Sequence, residues 1–302
     1  MTTSTLDAPA TRPAFTAIGP ARKVKNGVAT GLVYVAFGVA MVPLIWVIGT
    51  VLVKGLHVIL SATWFTESLS GLLGRDKGGG AYHAMYGSLA QALVCAAVSV
   101  PIGIMVAIYL VEYGGKSRLA KTTTFMVDIL TGVPSIVAAL FVYAVWIAIL
   151  GMPRSAFAVS LALVLLMIPV VVRTTEELLK IVPNDLREAA YALGVPKWRT
   201  IVKVVIPTAL SGILTGVMLA LARVMGETAP VLLLVAYAPF INFNLFSGNM
   251  ASLPLLMYVE RNNPTAAGND RIWGAAVTLI LIIALLNVLA TALSRFFAIK
   301  TK

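Results

Sequence analysis

Five stretches of this chain run for 18 to 28 residues without a single Lys, Arg, Asp or Glu: 26–53, 84–111, 129–153, 155–172 and 272–294. A sixth, 204–240, carries only Arg223 and Glu227. A helix crossing the apolar part of a bilayer needs about 20 such residues at about 1.5 Å rise each. Six spanning helices are therefore expected, over about 30–53, 85–111, 125–150, 155–173, 209–236 and 272–295. The composition agrees: 59% of residues are hydrophobic and 12% are charged, against about a quarter charged in soluble domains. The expected fold class is all-α and integral to a membrane. Residues 241–260 are apolar but broken by Asn242, Asn244, Asn249 and Pro254, so a loop or re-entrant segment is expected there.

The net charge of +11 would suggest nucleic acid in a soluble chain. Here the basic residues lie mostly between the apolar runs, where they orient the chain in the membrane. Of 23 Lys and Arg, 16 fall on the side of the two termini and six on the other, with Arg223 inside a span. The positive-inside rule then places both termini in the cytoplasm. Residues 1–26, rich in Thr, Ala and Pro with four basic residues, read as a disordered cytoplasmic tail and not as a cleaved signal. Residues 27–302 form the transmembrane domain.

The usual catalytic constellations are missing from the sequence. No Gly-x-x-x-x-Gly-Lys-Ser/Thr occurs, and Gly78-Gly79-Gly80 has no Lys-Ser/Thr after it. Nucleotide hydrolysis on this chain is not expected. His57 and His83 are 26 positions apart without a Cys or carboxylate cluster, so no metal site is expected. Cys95, the single cysteine, lies in an apolar run and reads as a small packing residue. Gly212 and Gly216 are spaced for a close helix crossing.

The loop after the fourth run, about 174–207, is the most informative segment. Asp185 and Glu188 have capping-box spacing, Gly194 suits a left-handed helix end, and Pro196 stops continuation. Leu186, Ala189, Ala190 and Leu193 fall on one small apolar face. Glu188-Ala189-Ala190, three residues, Gly194, nine residues, then Val204-Val205-Ile206-Pro207 resembles the EAA loop of ABC importer permeases. Val204 and Ile206 replace the usual Ile and Leu. The stretch Arg223-Val-Met-Gly226-Glu227-Thr228-Ala229-Pro230 resembles the phosphate-specific members of that family, as do 108–113 and 131–137.

The resemblance implies a type I ABC importer permease-like fold with a cytoplasmic coupling helix between spans four and five. Leu186, Glu188, Ala189, Ala190, Leu193 and Gly194 would dock on an ATPase. It implies a heterodimer with a second homologous permease, two ATPase subunits and an extracytoplasmic phosphate-binding protein. ATP and Mg would belong to the ATPase, with no cofactor on this chain. The setting would be the bacterial cytoplasmic membrane, and nucleic acid would have no part.

Charges inside an apolar segment are costly and usually face a pathway. Four residues apart on a helix, Arg223 and Glu227 would share a face about 6 Å from each other, near mid-membrane if the span is centred in 204–240. A guanidinium suits a tetrahedral oxyanion because its planar donors reach two oxygens at once. Glu227 would position it and weaken its grip. A structural ion pair between spans is the other reading. Arg173, at the expected end of span four, reads as an interfacial Arg, and the resemblance adds an inner pathway role. Asp128, Glu112, Glu176 and Glu177 read as boundary charges. A permease for sulfate or molybdate is the nearest alternative. An ion-coupled secondary transporter titrating Glu227 and Asp128 is a rival class, but it has no use for an EAA helix.

Overall fold

A computed structural model describes residues 19–297, and every regular element among them is helical. The chain divides into two units, Met1–Thr50 and Val51–Lys302. α1 (Pro20–Ile59) accounts for all of the described first unit except Gly19. Its apolar side chains, among them Val33, Tyr34 and Trp46, are exposed. A helix apolar on all its faces suits lipid contact. Residues 20–26, expected within the tail, are its first turns; residues 1–18 of that tail lie outside the described residues.

The second unit continues with α2 (Tyr82–Tyr113), α3 (Arg118–Thr131), α4 (Ser135–Ile149), α5 (Ala156–Ile181) and α6 (Asn184–Ala192). Then come α7 (Lys197–Met225), α8 (Ala229–Leu234), α9 (Leu253–Glu260) and α10 (Ala266–Phe297). Among the described residues five helices, α1, α2, α5, α7 and α10, are long and apolar enough to cross a membrane. The span expected over 125–150 is not a straight helix: α3 and α4 meet at a bend of 105°. Pro134 forms the break. It lacks an N–H, and its ring disfavours helical geometry at Val133. Thr131 Oγ1 bonds back to the Val127 carbonyl at 2.9 Å.

The helix of the fourth expected span runs to Ile181, beyond 173, and that of the fifth starts at Lys197, before 209, which leaves 182–196 of the loop expected over 174–207. The fifth ends at Met225 instead of 236. Gly226 caps it, and Pro230 cannot supply the N–H that the Gly226 carbonyl would accept in a continuing helix. The chain restarts as α8, whose six residues are too few to cross. Residues 241–252 form an irregular loop, and α9, at eight residues, is likewise too short. This segment folds onto α2. Ser88 Oγ accepts from the Leu253 N–H at 2.8 Å. A side chain at Gly87 would collide with the Ala251 carbonyl.

α5 is the centre of this unit. Some 67% of its most apolar window is buried, against 22% for α2, and it packs on α2, α3, α4, α7 and α8. Small residues allow the close approach. Ala158 and Ala162 are fully buried, Gly103 of α2 lies against Val171, and Gly212 and Gly216 of α7 lie against Leu178 and Thr174. The crossing expected from the glycine spacing is therefore α7 on α5. Cys95 is buried, with its sulfur 3.6 Å from Met167 Sδ.

Candidate functional site

α6 occupies the short connection between α5 and α7. The expected capping box does not form: Pro183 is the N-cap, and Asp185 sits inside the first turn, where a carboxylate favours the positive helix end. The other end is as expected. Gly194 has φ +75°. Its N–H bonds to the Tyr191 carbonyl at 2.9 Å, and that of Val195 to Ala190 at 3.1 Å, the paired bonds of a Schellman ending. Leu186 (40%), Ala189 and Leu193 (83%) are exposed, as is Glu188. Ala190 is 7% exposed and faces its own protein. The free apolar surface therefore consists of Leu186, Ala189 and Leu193, without Ala190.

Glu112 and Glu176 are not solvated boundary charges. Glu112 pairs with Arg187 at 2.9 Å, and the Glu112 side chain is 5% exposed. Glu176 pairs with Arg173 at 2.7 Å and Lys180 at 2.6 Å. Arg173 lies eight residues before the end of α5, not at it. It also pairs with Asp128 and donates to the Thr124 carbonyl, both on α3. Its guanidinium thus ties α3 to α5, with two carboxylates already on it.

The structure does not place Arg223 and Glu227 on one helix face. α7 stops between them, and no ion pair joins them among the described residues. Nor is Arg223 at mid-helix. It stands 20 residues beyond Lys203, about 30 Å along the axis, which is the full thickness of a bilayer's apolar core. Arg223 is exposed at that far end. Glu227 turns into a crevice lined by Ser88, Gln91 and Ser252 together with Val224, Met225 and Leu163. Gln91 is 2% exposed, and its Nε2 has no hydrogen-bond partner. A buried donor left open is costly, and with Glu227, Ser88 and Ser252 on the same lining it marks this crevice as a polar place within an apolar helix packing. Ser88, Gln91 and Ser252 were not anticipated from the sequence. The signal for Gln91 was present: an amide in the uncharged run 84–111. Ser252 enters only because the 241–252 loop folds back.

A membrane chain with a broken span, a polar crevice between its helices and a short exposed helix between two spans has the form of a solute-transport subunit. Residues 99–302 match the family described as binding-protein-dependent transport system inner membrane component. The phosphate transport system permease protein PstA of Mycobacterium leprae is 54% identical over 99% of this chain and 98% of its own length. PstA 1 of Mycobacterium tuberculosis H37Rv is 54% identical over 100% of this chain and 97% of its own. A crystal structure of a bacterial ABC transporter involved in the import of the acidic polysaccharide alginate shares the fold. It has a TM-score of 0.62 at 14% identity and covers 93% of this chain and 100% of that one. The chain belongs to the family of binding-protein-dependent transport system inner membrane components, among the phosphate transport system permease proteins known as PstA.

Proposed function

We propose that this chain is the permease subunit of an ATP-driven importer that carries inorganic phosphate inward across the cytoplasmic membrane. The observation that carries the reading is full-length 54% identity to proteins named for phosphate transport, on a chain whose exposed guanidinium, Arg223, stands one core thickness from the opposite charged end. Both termini face the cytoplasm, and Arg223 stands at the outer end of α7. There it meets phosphate released from an extracytoplasmic binding protein. Glu227, with Gln91, Ser88 and Ser252, lines the next polar place inward. A carboxylate beside the path keeps the anion from binding too tightly, which conduction requires. Arg173, held by Asp128 and Glu176, meets the anion only by releasing one of them.

Energy comes from ATP and Mg on two partner ATPase subunits. Leu186, Glu188, Ala189 and Leu193 dock on one of them, with Gly194 fixing the end of the helix. A second permease of the same kind completes the pathway, and its interface opens to one side at a time. Reconstitution in liposomes with a second permease, ATPase and binding protein tests this. Phosphate-loaded binding protein is expected to raise ATP hydrolysis and drive phosphate uptake. Stimulation by sulfate-loaded protein instead would reject phosphate as the substrate.

A further inference from the structure

We infer that Arg187 and Glu112 form a part-buried joint through which movement of α6 is passed to α2. This rests on the reading above, in which α6 docks the ATPase. All three nitrogens of the Arg187 guanidinium are engaged. Nε and Nη2 donate to Glu112 Oε1 at 3.1 and 2.9 Å. Nη2 also donates to the Leu179 carbonyl at 2.9 Å, and Nη1 to the Val182 carbonyl at 2.7 Å and Asn184 Oδ1 at 3.2 Å. One side chain on α6 therefore binds the end of α5, the intervening turn and the end of α2. The Leu179 and Val182 carbonyls belong to the last turn of α5 and its cap, where helices leave acceptors without partners. Pro183, with no N–H, cannot serve the Leu179 carbonyl four residues before it.

The chain returns to the same place after the turn. Lys197, at the start of α7, donates to the Glu112 carbonyl, and its ammonium lies 4.8 Å from the Tyr113 ring centroid. Glu112 is thus held through its carboxylate by the element before the turn and through its carbonyl by the element after it. Residues 109–113 are a wider, π-type turn, a geometry common at functional positions. A planar guanidinium that satisfies several fixed acceptors transmits a displacement better than a flexible ammonium does. Exposed Leu186 and Leu193 contact the partner, and part-buried Arg187 carries the motion inward. Arg187 and Glu112 are positioning residues, and neither touches the transported ion.

The test uses the assembled transporter in liposomes, comparing wild type with Glu112→Gln, Arg187→Gln and the double variant. Phosphate uptake per ATP hydrolysed is the readout, with ATPase co-purification measured alongside. In each single variant the ATPase is expected to stay bound, hydrolysis to continue, and uptake per ATP to fall at least about fivefold, the lower end of a typical coupling between sites. The double variant should be no worse than either single one, since both break the same joint. Lys197→Ala, which leaves the part-buried pair intact, should lower the same ratio by a smaller factor. It serves as the measurement if the variants of that pair fail to fold. Unchanged uptake per ATP in assembled variants overturns the joint, as does loss of the ATPase from them. If the wild-type complex brings down no ATPase, the functional reading fails and not the joint alone.

Discussion

At the residue scale, the costs are set by which buried groups have partners and which positions have space. Gln91 is buried with an unpaired Nε2. An apolar side chain of similar size removes a group that already lacks a partner, so Gln91→Leu should change stability by no more than about 1 kcal/mol. If the crevice is on the transport path, phosphate uptake should nonetheless drop severalfold. Equal uptake at equal expression would remove Gln91 from the path. Gly87 is the opposite case. Its missing side chain is the space taken by the Ala251 carbonyl, so Gly87→Ala must push the 241–252 loop off α2. A cost of about 1–3 kcal/mol is expected for such overpacking, read as a lower thermal midpoint of the detergent-solubilised chain. Of these two positions, only Gln91 was legible as unusual in sequence. A glycine in a spanning helix has many uses, and the partner that explains Gly87 is 164 positions away.

At the element scale, α6 shows how much a local signal contains. Its existence, its left-handed Gly194 ending and its exposed Leu186 and Leu193 follow from spacing and turn chemistry. Gly194→Ala places a side chain at φ +75° and should weaken the helix end by about 1 kcal/mol. Leu193→Ser sits on the exposed surface and should leave the thermal midpoint within error while reducing recovery of the ATPase on affinity purification. Retained ATPase in that variant would remove Leu193 from the docking surface. The N-terminal cap was misread because Pro183 and Asp185 both suit a helix start, and only the path of the chain from α5 selects Pro183. Arg187 lies off that exposed face and pairs with Glu112. Its partner lies 75 positions earlier, beyond the reach of any local pattern.

At the scale of the whole molecule, charge distribution and helix number are coupled. If the bent α3–α4 pair counts as one passage, the described residues hold six candidate passages, an even number that would return the chain to its starting side, and in the proposed orientation that side carries 16 of the basic residues. Cys95 is fully buried, so single-cysteine reporters are clean without removing it. Ser70→Cys, at an exposed position between α1 and α2, should react with a membrane-impermeant maleimide in intact cells. Lys116→Cys, between α2 and α3, should react only after permeabilisation. The reverse pattern would invert the proposed orientation.

The sequence by itself determined what depends on composition and short spacing. Apolar length sets the number of passages, Lys and Arg between them set the expected sidedness, and the Glu188 to Pro207 spacing marks the exposed helix. Tertiary structure alone decided which way the chain turns at its breaks and what each charge meets. Pro134 marks a break in either case, but a gentle kink and the 105° bend look the same in sequence. Arg223 and Glu227 are four apart in either case, but the stop at Gly226 sends one to the helix end and the other into the crevice. A charge in an apolar chain announces that it has a partner or a pathway. Which of the two it has is a matter of distances between residues far apart in sequence, and those exist only once the chain is folded.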